Sequence, residues 1–151
     1  MFDVALWEPE IPPNTGNVAR LCAATGAGLH LIGRLGFRLD DRSLRRAGLD
    51  YWDDVAVSRH ATLEQFEAFF QGRRVFCFSA RARIPYTAVR YEPGDCLLFG
   101  GESHGLPAAV VERYAGRALF IPMPAAKVRS LNLATAVGIG LYEGLRQLRA
   151  W

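Results

Sequence analysis

Residues 121–149 read IPMPAAKVRSLNLATAVGIGLYEGLRQLR, and this stretch decides the fold. An apolar strand, Ala118 to Ile121, runs into a loop from Pro122 to Lys127, and Ser130 then stands where a helix N-cap belongs. Beyond it Leu131, Ala134, Val137, Gly138, Leu141, Leu145 and Leu148 recur on one face at helical spacing, while Glu143, Arg146 and Arg149 fall elsewhere. The pattern predicts a long helix with a wide buried face. Its small residues, Ala134, Ala136, Gly138 and Gly140, would let another backbone approach closely. A glycine inside a helix costs about 1 kcal/mol against alanine, so packing should offset it. Ordinary core packing would produce the same pattern.

Working outward, FDVALW (residues 2–7) reads as a buried first strand, ended by the Pro-rich turn from Glu8 to Pro13. Asn14 or Thr15 can cap a helix with Val18, Leu21 and Cys22 inside, stopped by Gly26 and Gly28. Leu29 to Ile32 and Val55 to Val57 read as extended pieces, with a short helix from Ser43 through Arg46 between them, ended by Gly48. Thr62 and Gln65 form a capping box for a helix through Phe70. VFCFS (75–79) and CLLF (96–99) are continuous apolar runs, as in parallel strands buried on both faces. Residues 81–95 show no period and read as a long connection, and Pro107 opens a helix through Tyr114. The alternation predicts an α/β fold, a mostly parallel sheet with helices on both sides and ligands beyond the carboxyl ends of the strands. With no linker or repeat, residues 1–151 are expected to form a single domain.

Half of the 151 residues are hydrophobic, yet no run reaches the roughly 18 apolar residues of a membrane span. MFDVALWEPE lacks the basic start of a signal peptide, so a cytoplasmic protein is expected, with no membrane partner. Cys22, Cys77 and Cys96 lie far apart in apolar surroundings and read as reduced core residues; no metal-ligand spacing occurs and no metal is expected. The net charge is +3, and Lys127 is the only lysine. Arg34, Arg38, Arg42, Arg45 and Arg46 cluster in one span with Asp40 and Asp41 interleaved, either a solvated face or a phosphate-contacting surface.

Three loops after predicted strands carry the unusual residues: Glu8 to Arg20, Gly100 to Leu106 and Pro122 to Asn132. All three should open on one edge of the sheet. In FGGESHGLP, glycines free backbone groups to approach a ligand or to turn tightly. Neither G-x-G-x-x-G nor G-x-x-x-x-G-K-[ST] occurs. GESHG matches a nucleophile elbow formally, but no histidine follows except the adjacent His104, so a Ser, acid, His order cannot be built. His30, His60 and His104 are scattered along the chain, each more simply read as satisfied or solvated than as a ligand.

Together EPEIPPNTGNVARLCAATG, RRAGLDYW, LFGGESHGLP and IPMPAAKVRSLNLATAVGIGLYE resemble, in order and almost end to end, the SPOUT superfamily of trefoil-knotted methyltransferases. The nearest likeness is to its TrmL/YibK-like tRNA wobble-nucleotide 2′-O-methyltransferases. The resemblance implies a deep C-terminal trefoil knot holding S-adenosyl-L-methionine, with Phe78, Gly100, Ile121, Met123, Ser130 and Leu131 at the cofactor. It implies a homodimer acting on the cytidine or uridine at the wobble position of a tRNA anticodon loop. Arg20 would be catalytic, supported by Asn14 and Glu102, and Gly16, Gly105 and Asn132 would complete the motifs. Because a guanidinium keeps its proton, Arg20 suits orienting the 2′-OH and its phosphate better than acting as a base. Arg45 and Arg46 are expected at the tRNA backbone, and Tyr142 at the tRNA-facing surface or dimer contact, with a core aromatic as the alternative. A knotted RNA-binding protein without catalysis, and a 2′-O-methyltransferase for rRNA or another tRNA position, are the competing readings.

Overall fold

Seven parallel strands form one sheet in a computed structural model that describes residues 1–40, 42, 46 and 51–149. In chain order these are β1 (Asp3–Trp7), α1 (Pro12–Thr25), β2 (Gly28–Ile32), β3 (Val57–His60), α2 (Leu63–Phe69), β4 (Val75–Phe78), β5 (Ile84–Pro85), β6 (Cys96–Phe99), α3 (Ala108–Arg113), β7 (Ala118–Phe120) and α4 (Leu133–Arg149). The strand order is β3-β2-β1-β6-β4-β7-β5, so β6 enters between β1 and β4, and β7 between β4 and β5. Parallel pairing throughout agrees with the continuous apolar runs: every residue of β4 and β6 is buried.

Alternation along the strands sorts the core into two layers. Val4, Leu6, Leu29, Leu31, Phe76, Phe78, Leu97 and Phe99 face α1 and α4. Ala5, Cys77, Cys96 and Leu98 face α2 and α3. All three cysteines are free and buried, and burial pushes the Cys22 thiol to about 12 and that of Cys77 to about 11, as inert core residues require.

The last helix has the predicted face but not the predicted start. Its cap is Asn132, whose Oδ1 accepts from Thr135 N at 3.1 Å, while Ser130 and Leu131 remain in the loop. Leu148, expected inside, is 38% exposed in the last turn. Two helix glycines face aromatic rings rather than another backbone. A Cβ on Gly144 would sit 2.7 Å from Cζ of Phe2, and one on Gly140 2.9 Å from Cζ of Phe78. The missing side chains let α4 lie flat on the sheet.

Other differences have local causes. The first helix begins at Pro12 behind Ile11, with no side-chain cap of its own; Asn14 and Thr15 are buried in its first turn. The two residues of β5 inside the 81–95 connection are too short to carry a period. The predicted strand at Val55 shifts to Val57–His60. Thr62 caps α2 as expected, accepting from Gln65 N, while Gln65 Oε1 reaches back to Ala61 N. The short helix expected from Ser43 to Arg46 and its stop at Gly48 lie largely outside the described residues. No helix among the described residues is long and apolar enough to cross a membrane.

Candidate active site

The three marked loops meet at one edge of the sheet, around a cavity of about 550 Å³, within the range of small-molecule sites. They are joined by side chains. Glu102 accepts from the backbone N–H groups of Glu10 and Ile11, both at 2.8 Å, and from Asn14 Nδ2 at 3.2 Å. In return Glu10 accepts from Ser103 N at 3.0 Å and Ser103 Oγ at 2.6 Å, and the hydroxyl's hydrogen bond, then that of the backbone, holds its carboxyl below the usual range. Asn14 Oδ1 accepts from Asn132 Nδ2 at 3.0 Å, and Asn132 caps α4.

Local sequence explains why each group is available. Pro12 and Pro13 have no N–H, and Ile11 cannot cap, so the entrance to α1 takes its acceptor from Glu102, some ninety residues away. A carboxylate there also suits the positive end of the helix dipole. Asn14 has both an acceptor and a donor, so it can link Glu102 to Asn132 where a carboxylate could not.

Gly100 is needed for closure of its own loop. A Cβ there would lie 2.1 Å from the carbonyl carbon of Gly105 and 2.3 Å from Leu106 N. Gly105 has φ +64 and donates its N–H to Gly101 O at 2.9 Å, so the loop doubles back within five residues. A larger residue at 100 would therefore open the loop itself and not merely fill ligand space.

Phe78 and Phe99, stacked with centroids 4.5 Å apart, line the cavity together with Ile121 and Met123. Ser130, Leu131, Asn132, Gly105, Gly100, Glu102 and Asn14 complete the predicted residues found there. Phe99, Arg81 and Arg129 line it too and carry no local mark in the sequence, and His104, expected to be satisfied or solvated, is exposed at the same wall. An apolar wall beside exposed backbone, with Glu102 fully engaged, fits S-adenosyl-L-methionine: Phe78, Ile121 and Met123 can hold an adenine ring, and loop amides its polar edge.

Other predicted residues are not brought to this cavity. Arg20 lies on the exposed face of α1, its guanidinium 5.3 Å from the ring centre of Tyr51. Gly16 is buried in α1, Arg46 is exposed, and Arg45 lies outside the described residues. Tyr142 is 43% exposed on α4, against the core alternative. Two of the scattered histidines do meet: His30 Nδ1 lies 3.0 Å from His60 Nε2, and His30 Nε2 3.0 Å from Asp3 Oδ1, beneath α2. No group of three or more potential metal-ligating side chains occurs among the described residues.

Comparison with known proteins places this arrangement. Residues 1–142 match the model of the SpoU rRNA Methylase family. The chain is 46% identical over 149 residues to the tRNA (cytidine(34)-2'-O)-methyltransferase of Escherichia coli (strain K12), covering 98% of this chain and 94% of that protein. A solved structure described as "Structural insights into the 2-OH methylation of C/U34 on tRNA" superposes with a TM-score of 0.95 at 50% identity, covering 100% of this chain and 98% of that one. An AdoMet-bound rRNA methyltransferase from Sinorhizobium meliloti has a TM-score of 0.86 at 30% identity, over 97% of this chain and 56% of that one.

Proposed function

The chain belongs to the SpoU rRNA Methylase family, and from its likeness to tRNA (cytidine(34)-2'-O)-methyltransferases we propose that it methylates the ribose 2′-oxygen of the wobble nucleotide, cytidine or uridine, in a tRNA anticodon loop. The observation that carries the proposal is the hydrogen-bonded joint of Glu102, Asn14 and Asn132, which unites three distant motifs around one cavity. The names of the relatives point to the same chemistry. A tRNA loop suits it, because splayed single strands expose the 2′-OH.

S-adenosyl-L-methionine, when bound, supplies a methyl group on a sulfonium that is already a good leaving group. Phe78, Gly100, Ile121, Met123, Ser130 and Leu131, which line the cavity, would hold it. What remains for the protein is alignment of the 2′-oxygen with that methyl. The cofactor would supply the methyl and keep the departing electron pair on its sulfur, while the 2′-hydroxyl would give up its proton to solvent. Asn14 and Glu102 keep the loops in register rather than touching the proton, since both Glu102 oxygens already accept hydrogen bonds.

Arg20 orients the 2′-OH and its phosphate. Because Arg20 lies outside the cavity of its own subunit, the working site is composite: a homodimer in which one subunit's Arg20 reaches the partner's cavity. Exposed Tyr142 and Leu148 on α4 support such an interface. Arg45 and Arg46 hold the anticodon stem. Residues 1–151 act as one methyltransferase domain in the cytoplasm, without a metal. The segment after β7 is threaded as a trefoil knot, a reading supported by β7 entering the sheet between two earlier strands.

Mixing inactive Arg20→Ala and Asn132→Ala proteins tests the composite site. Reassorted subunits should recover part of the methyl transfer from labelled cofactor to tRNA, since one of the two sites is then intact. No recovery despite proven exchange of subunits would place Arg20 and Asn132 in the same subunit's site.

A further inference from the structure

From the charges at the cavity mouth we infer that Arg129 binds a phosphodiester of the RNA strand beside the reacting ribose. The inference rests on the function proposed above. Among the lining residues the formal charges are Arg81, Arg129 and Glu102. Glu102 is consumed by the N–H donors of Glu10, Ile11 and Asn14, and Arg81 donates from Nη2 to Leu106 O at 2.8 Å, holding the glycine loop. Arg129 is exposed and forms no ion pair with the described residues. Arg81 is likewise exposed and without an ion pair, but the loop carbonyl fixes its guanidinium, whereas for Arg129 no side-chain hydrogen bond or ion pair occurs among the described residues.

The loop that carries it is built to present this charge. Pro122 and Pro124 fix two φ angles, Ala126 adopts φ +51, and Ala126 N donates to Met123 O at 3.0 Å. After this turn Lys127, Val128 and Arg129 are all exposed, Val128 at 61%. From residue 121 to 132 there is no acid. Two cations around an exposed apolar side chain match a nucleic-acid strand, which offers alternating phosphates and apolar sugar or base faces. A planar guanidinium adds a paired hydrogen bond to phosphate oxygens. By contrast Arg38, in the arginine-rich span, is already paired with Asp40 at 3.1 Å.

A carboxylate on the cofactor's amino-acid tail is the other anion that could reach the same guanidinium, and measurement separates the two. The full-length Arg129→Gln and Arg129→Lys proteins, checked for unchanged melting temperature, would be assayed for S-adenosylmethionine affinity by calorimetry and for tRNA binding from low to moderate salt. Arg129→Gln should weaken tRNA binding roughly tenfold, the size of one charge-assisted hydrogen bond. It should lower the slope of log affinity against log salt by about 0.7, with Arg129→Lys recovering the slope but not all the affinity. Cofactor affinity should not move. Weaker cofactor binding with unchanged tRNA binding would overturn the inference and give Arg129 to the cofactor tail, and an unchanged salt slope would also overturn it. Wild-type protein that methylates no tRNA would instead overturn the proposed function.

Discussion

Two chains of hydrogen-bonded side chains run through this molecule, and they are built on different chemistry. At the cavity, Glu102, Asn14 and Asn132 tie three loops together through amide groups and backbone N–H donors. Across the other face of the sheet, Asp3, His30 and His60 tie β1, β2 and β3 together through groups that titrate, under Phe66, Phe69 and Phe70. The first joint has few protons to lose and holds a site. The second joins two imidazole rings and a carboxylate and holds the sheet. Damage to the first should show as lost activity, and damage to the second as lost stability.

The largest effect is expected from Asn14→Asp, which puts a carboxylate against Glu102 and removes the donor from the joint. Displacing loops by about 1 Å can cost roughly a hundredfold in rate, and methyl transfer should fall by about that much while the protein stays folded. Full activity would show that the joint does not set the site. Next is His30→Leu, which leaves His60 without its buried partner and should cost about 1–3 kcal/mol in denaturant unfolding. Its affinity for S-adenosylmethionine, measured by calorimetry, should not change; a matching loss would mean that the two chains are coupled.

The pH dependence sharpens the contrast. Burial, then the neighbouring His30, lowers the pKa of His60. Burial pushes the Asp3 carboxyl up, but hydrogen bonds from His30 and Arg73 outweigh it and hold the carboxyl below its ordinary value. Both groups have folded pKa values below the unfolded ones, so their stabilisation is complete above the unfolded values and is lost as pH falls through the folded ones. Stability should therefore begin to fall below about pH 6.5, the ordinary histidine value, before most carboxylates protonate. In His60→Asn that first decline should disappear, and an unchanged acid profile would remove His60 as its source. The smallest effect is expected from Gly138→Ala, whose new methyl would meet only Cδ2 of Leu21 at 3.9 Å. Thermal unfolding should show a gain of up to about 1 kcal/mol from helix propensity, with neither joint disturbed.

What sequence revealed follows from the range of the forces involved. The periodic faces of α1 and α4, the buried runs of β4 and β6 and the Thr62 cap are local patterns, and they were legible. The shared edge of the three loops was legible too, since parallel strands put their following loops on one side. Capping of α1 by Glu102 was not, because its donors lie some ninety residues away and the helix start offered nearer candidates in Asn14 and Thr15. Ser130 and Asn132 are both good caps, and only the path of the loop selects Asn132. The meeting of His30 with His60 depends on β2 pairing with β3, which spacing along the chain does not encode. Phe99 read as one more apolar residue of CLLF, and its place at the cavity required the stack with Phe78.

The central claim is that this cavity directs a methyl group to one ribose oxygen. The direct measurement is to incubate the protein with labelled S-adenosylmethionine and tRNA lacking the modification, then identify and map the labelled nucleoside by mass spectrometry. The account predicts a 2′-O-methylated cytidine or uridine at the wobble position, absent with the Arg20→Ala protein. Label on a base, label outside the anticodon loop, or undiminished transfer by Arg20→Ala would contradict it.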